Sequence, residues 1–191
     1  TNNIDSQRDT FKDEDKVRIS SVINYGGDAV NVVPAKVTME CMVRAATVEA
    51  MVDANEKVNR SINAAALALG GKVIIEDSMG FLPLDSDKNM DSLFKANFVE
   101  LMNENDKTVT DLMITAGSTD FGDLSQLMPC LHPWIGGVSG ALHTEEYGIT
   151  DEELAYIVSA KAMAMTLIDL LYDDAKVSRD IIAEFKAKFS K

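Results

Sequence analysis

The sequence predicts an α+β fold, with an antiparallel sheet covered on one face by helices and a helix-rich second half. Three observations predict it. Two β-rich runs, 17–25 and 37–44, flank the turn signal Gly26-Gly27-Asp28. An apolar stripe at spacings of three and four then runs from Val48 to Leu69. Beyond Asp111 short apolar runs alternate with Gly-rich loops and lead into a long apolar helix.

Asn2 to Phe11 reads as a helix already under way. The first residue is Thr and not Met, so the expectation is a cut N-terminus. Val17 to Tyr25 is the first strand. Val30 to Arg44 follows as strand interrupted by Pro34, which has no N–H to give a ladder. From Val37 the pattern alternates: Val37, Met39, Cys41 and Val43 form the core face, and Thr38, Glu40, Met42 and Arg44 the more polar one. Thr47 caps a long helix that ends at Gly70-Gly71. Val48, Met51, Val52, Val58, Ile62, Ala65, Ala66 and Leu69 are its expected core stripe. Lys72 to Asp77 is expected as a short strand. A complete unit of this pattern has one more strand before Asn2.

Gly80 to Asp85 reads as a hinge. A helix from about Lys88 to Asn103 carries Met90, Leu93, Phe94, Phe98 and Leu101 on one face. Leu112 to Thr115 and Leu131 to Ile135 are the short apolar runs. Thr150-Asp151-Glu152-Glu153 has the spacing of a capping box. The helix it opens, to about Tyr172, is apolar around much of its girth and calls for cover by a larger layer than this chain supplies. A last amphipathic helix carries Ile181, Ile182, Phe185 and Phe189.

The 191 residues are 46% hydrophobic, enough for a sizeable core. The net charge of −13 argues against nucleic acid and against an anionic membrane surface, because both need clustered Lys and Arg. Lys161 and Asp169 interrupt the apolar helix, which therefore reads as buried and not membrane-spanning. Cys41 and Cys130 have no paired spacing and suggest no disulfide framework. No basic-then-apolar segment opens the chain, so a cytoplasmic protein is the expectation.

His143 lies in a short loop after Gly136-Gly137-Val138-Ser139-Gly140 and before the capping box. A loop imidazole of that kind can ligate a metal, yet zinc takes three or four protein ligands. The site therefore looks like part of one whose remainder lies elsewhere. Ala116 to Asp123 reads first as a helix N-cap formed by Ser118, Thr119 or Asp120, and secondly as an active-site loop. His132, between apolar residues, reads as a core or interface histidine. Asn31 either satisfies a turn or faces a ligand. Arg44 is either a solvated residue or a carboxylate clamp that uses the planar guanidinium.

Together these segments resemble the C-terminal half of the metal-dependent amidohydrolases that include aminoacylases, zinc carboxypeptidase-like enzymes and aminobenzoyl-glutamate hydrolases. Gly26 to Pro34 is similar to the family's glycine-then-Asn-Val-Ile/Val-Pro segment, and Val43-Arg44-Ala45 to the strand that follows. Ala116 to Asp123 is similar to its small-residue-plus-acid loop, and Ala141-Leu142-His143-Thr144 to its last metal-ligand histidine.

The resemblance implies a partial ferredoxin-like lid (dimerisation) domain over 1–82 and the C-terminal portion of an α/β catalytic domain over 83–191. It implies His143 as a metal ligand and Asn31 and Arg44 as substrate-binding residues. Two divalent ions, zinc or another such as manganese, are expected in the complete enzyme, with the general base in an absent N-terminal half. The implied substrates are N-acyl amino acids, aminobenzoyl-glutamate-like compounds or short peptides. A homodimer through the lid is the implied assembly, and the isolated chain is expected to be inactive. The competing readings are a non-catalytic dimerisation module with a relict site and an unrelated α+β ligand-binding domain.

Overall fold

β1 (Arg18–Tyr25) and β2 (Thr38–Arg44) form an antiparallel ribbon in which Arg18 faces Arg44, Ile19 faces Val43 and Ile23 faces Met39. The computed structural model describes residues 1–102 and 118–188. Within them the chain is a mixed α+β structure of two units. One holds residues 1–84 and 118–123, the other 85–102 and 124–188.

In the first unit α1 (Asn2–Asp5) precedes two 3₁₀ turns, Arg8–Thr10 and Asp13–Asp15. The ribbon follows, then α2 (Val48–Ala68). Thr47 caps α2 as expected, its hydroxyl oxygen accepting from Ala50 N at 3.1 Å. At the other end Gly70, at φ +67, lets Gly71 N donate back to Ala66 O at 2.8 Å, which satisfies a carbonyl the helix leaves open. α1 docks on α2 through Ser61, whose hydroxyl donates to Lys57 O at 2.8 Å and Asn3 O at 3.2 Å, while Asn3 Nδ2 donates to Ser61 O. Lys57 holds the first 3₁₀ turn. Its ammonium donates to Thr10 O at 3.2 Å, lies 4.7 Å from the Phe11 ring centre and pairs with Asp53 at 2.7 Å.

Several expectations change in this unit. The first helix stops at Asp5, and Arg8–Thr10 is a separate turn. Residues 30–37 are not strand: Val32 N turns back to Ala29 O at 3.3 Å, and Val30 and Val33 lie in solvent. Lys72 to Asp77 is not a strand either. No described segment pairs with it, and Asp77 is held by α2 instead, accepting from Asn55 Nδ2 at 3.2 Å and Asn59 Nδ2 at 2.7 Å. The buried line of α2 is Ala50, Ala54, Val58 and Ser61, rotated from the expected stripe, so Val52 and Leu69 are exposed. Small side chains let the helix approach its neighbours closely. On β2, Met39 and Val43 are half-buried while Val37 and Cys41 are exposed, because α2 meets only part of the ribbon.

The second unit is built on α3 (Lys88–Met102) and a terminal helix, α5 (Ser159–Lys188), with a two-pair hairpin between them in sequence; the short α4 (Phe121–Ser125) is divided between the two units after Asp123. The hairpin is β3 (Val138–Ser139) with β4 (Gly148–Ile149). Asp87 caps α3, its Oδ1 accepting from Asn89 N at 3.0 Å and Met90 N at 3.1 Å. Phe94 is buried, with the Phe98 ring 6.2 Å away. Asn103 and the run Leu112 to Thr115 lie outside the described residues, as does Phe189.

The expected capping box is not formed. Thr150 N is taken by Gly137 O at 2.9 Å, and Asp151 serves instead, its Oδ1 accepting from Leu154 N at 3.0 Å. The helix then opens with a π turn, Glu153–Val158. α5 breaks where the sequence places the boundary between two helices. Tyr172 is extended, and Asp173, Asp174 and Ala175 are left-handed, with φ of 51, 55 and 54°. Ser178 Oγ bridges the break to Leu170 O at 2.7 Å. Ile181 and Phe185 are buried beyond it.

By length and composition Glu153–Lys188 is apolar enough to cross a membrane. One face nevertheless carries Ala162, Thr166 and Leu170 into contact with α3, and a polar seam runs there. Asn97 Nδ2 donates to Thr166 Oγ1 at 3.2 Å and to Asp169 Oδ2 at 2.7 Å, and Thr166 Oγ1 donates to Ala162 O at 2.8 Å. The opposite face leaves Ile157, Leu167, Ile168 and Leu171 exposed.

Asn97→Ala is expected to destabilise the chain by about 1.5–3 kcal/mol, the loss of a hydrogen bond to a charged group with its acceptor left behind. Urea unfolding measures it. A change below about 0.5 kcal/mol would remove this seam as a determinant of the α3–α5 pairing.

Candidate functional site

His143 sits at the tip of the β3–β4 hairpin, in the connection 140–147. Thr144 folds that connection: its N and Oγ1 both donate to Ala141 O, at 3.3 and 2.8 Å, and Tyr147 N donates to Thr144 O at 3.2 Å. Gly140, at φ +90, approaches the Glu146 carbonyl so closely that a Cβ there would collide with it. Gly137 packs as tightly on the helix start, where a Cβ would lie 2.7 Å from Asp151 O and 2.8 Å from Ala155 N. The glycines ahead of His143 thus tie the hairpin to the start of the terminal helix. His143 itself is exposed and left-handed, at φ 65°. A side chain in that region costs energy that a glycine would avoid, and such residues cluster at functional sites. Glu145 and Glu146 are not hydrogen-bonded to it.

The other two candidates lie on the ribbon of the first unit. Asn31 is in the β1–β2 connection, as the third residue of the turn that Val32 N closes on Ala29 O. It is exposed among the exposed Val30, Val32 and Val33. Gly27, at φ +118, packs against Pro34 across this connection. At its base the Asp28 carboxylate beside the Tyr25 hydroxyl holds that phenol above its usual pKa. Arg44 is at the opposite end of β2, so about 20 Å of strand separates it from the connection. The ribbon therefore does not bring Asn31 and Arg44 together. Arg44 is half-buried, and its Nε is fully buried with no hydrogen-bond partner among the described residues.

Asp120 stands at the start of α4 and its side chain bonds its two neighbours. Its Oδ1 accepts from Phe121 N at 3.1 Å and from Thr119 Oγ1 at 3.0 Å. The first residues of that loop, Ala116 and Gly117, lie outside the described ones. His132 is half-buried, its ring 6.3 Å from Trp134, as expected of a core or interface residue. Cys41 and Cys130 are free thiols, and burial pushes both above the usual cysteine range.

Among the described residues no three His, Cys, Asp or Glu side chains converge to hold a metal ion. One exposed imidazole does not make a complete metal centre. Sequence reasoning missed Arg18, which faces Arg44 across the ribbon. Only the strand register could have revealed it, and the twelve-residue connection with its bulge at Asn24 hides that register.

No family model matches the chain. It is 30% identical over 177 residues to the Xaa-Arg dipeptidase of Mus musculus and 31% identical over 180 residues to that of Homo sapiens, each alignment covering 90% of this chain. It is 26% identical over 152 residues, 78% of its length, to an uncharacterized hydrolase of Sinorhizobium fredii. The chain spans about two fifths of these relatives, 41%, 40% and 37% of their lengths. The resemblance read from the motifs is thereby supported at the level of peptidases and hydrolases, and not of any one subfamily.

His143→Gly is expected to leave stability unchanged or to raise it by about 1 kcal/mol, because glycine accepts a positive φ without strain. Chemical denaturation checks this. A loss of more than about 1 kcal/mol would mean that the imidazole holds the hairpin by packing.

Proposed function

We propose that this chain is the C-terminal portion of a metal-dependent amidohydrolase or dipeptidase. The observation that carries the reading is an alignment with dipeptidases over 90% of the chain. In this reading His143 is one ligand of a site whose other ligands and general base belong to the remainder of the protein. Zinc or manganese, two ions in all, is the expected metal. The exposed, glycine-braced loop suits a residue that meets groups from outside its own unit. The substrate is a dipeptide or N-acyl amino acid with a free carboxylate, and Arg44 anchors that carboxylate. Asn31 makes a separate substrate contact, since the ribbon places it away from Arg44. The enzyme works in the cytoplasm.

The test uses the full-length protein and this chain side by side. The complete protein should hydrolyse Xaa-Arg dipeptides or N-acetyl amino acids in a chelator-sensitive way, and the chain alone should not. In the complete protein His143→Ala should lower bound metal and cut kcat/KM by at least about 100-fold without unfolding it. Unchanged metal content and activity in that variant would refute the assignment. Full activity of the isolated chain would show that the site has been misplaced.

The assembly proposed is a homodimer through the lid. Val22, Ile23 and Met42 are exposed on a ribbon whose outer edges pair with no other described strand, and an unpaired edge is a template for another strand. Light scattering should give twice the chain mass at high concentration. A strict monomer there counts against the lid as the pairing surface.

A further inference from the structure

We infer that Arg18 is the second arm of a carboxylate clamp whose first arm is Arg44, an inference that rests on the substrate role given to Arg44 above. The two are Cα partners in the β1–β2 register, so their side chains leave the same face of the ribbon. Opposed residues on antiparallel strands have Cβ atoms about 4.5–5.5 Å apart, and like charges placed so repel.

Nothing in the described structure neutralises them. Neither arginine makes an ion pair with a described carboxylate. The acid on the same ribbon face is Glu40, opposite Val22, and its Oε1 is already held by Asn24 Nδ2 at 2.8 Å. Ser20 and Met42 form the pair between it and the arginines.

The second observation is the Nε of Arg44, buried and without an acceptor. A buried donor left unpaired is destabilising and calls for an explanation. An anion seated on the pair answers both problems, because it offsets the repulsion and accepts the orphaned N–H. A planar carboxylate suits it best, since each guanidinium presents a fork of parallel donors. Arg44, half-buried, fixes the position. Arg18, exposed at the start of β1, closes over the outer oxygen.

Two measurements test this. On the 191-residue chain, calorimetric titration with N-acetylglycine, N-acetylglycinamide and inorganic phosphate reads the anion site directly. N-acetylglycine should bind, the amide should not, and Arg18→Ala should weaken binding about ten-fold or more while the melting temperature of the ligand-free chain does not fall, since the variant loses the repulsion. Arg18→Lys should recover only part, because it restores the charge without the fork. Phosphate binding more tightly than N-acetylglycine would overturn the assignment to a carboxylate. Equal binding by wild type and Arg18→Ala would overturn the clamp.

In the complete protein, Arg18→Ala should raise KM about ten-fold for a carboxylate-bearing substrate and leave its carboxamide analogue unaffected. Equal effects on both substrates would also overturn it. Should the complete protein hydrolyse nothing, the calorimetric result still decides the clamp by itself. The two readings therefore fail separately.

Discussion

One amide inside an apolar interface holds the second unit in register. Asn97 spans from α3 to Thr166 and Asp169 on α5, and the Thr166 hydroxyl passes its own proton back to Ala162. Apolar packing alone is non-directional, and two helices could slide along each other with little penalty. The seam removes that freedom because any shift leaves a buried amide unpaired. The setting of α5 then fixes Asp151, and the donors at Thr150 and Asp151 fix the Gly137 carbonyl. His143 is carried four residues from the end of β3. Its placement thus depends on a contact in a different part of the fold.

Both units carry exposed apolar side chains. α5 has α3 on one side, and within its unit the described residues leave Ile157, Leu167, Ile168 and Leu171 uncovered on the other. The ribbon keeps Val22, Ile23 and Met42 in solvent. Exposed apolar area of this kind is a common mark of an interaction surface. This agrees with a chain that spans two fifths of the relatives it matches.

Much of the fold was legible because its signals are local. Thr47 and Gly70 bracket α2 by capping chemistry that needs no knowledge of tertiary structure. The boundary inside α5 was visible as a change in apolar pattern before Tyr172–Ala175. What failed depends on partners. Lys72 to Asp77 has strand composition, but a strand exists only beside another, and Asn55 and Asn59 claim Asp77 instead. Thr150 fits a capping box by spacing, yet the hairpin takes its N–H and hands the role to Asp151. The rotation of the α2 stripe toward Ala50 and Ala54 follows from close approach, which favours small residues over the most apolar ones. Around His143, the tight turn was readable from the glycines ahead of it. Arg18 was not, because its meaning comes from the residue opposite.

The π turn at Glu153–Val158 has a consequence for how such a chain can change over generations. A π turn holds one residue more than the α turn it replaces, so it is a place where length is taken up within a helix. It stands between the histidine hairpin and the face of α5 that meets Asn97. A single-residue deletion there can be absorbed by closing the π turn to an α turn. Thr166 and Asp169 then keep their phase. Drift in loop length is thereby separated from the helix register, and the loop can change while the interface beneath it is inherited intact.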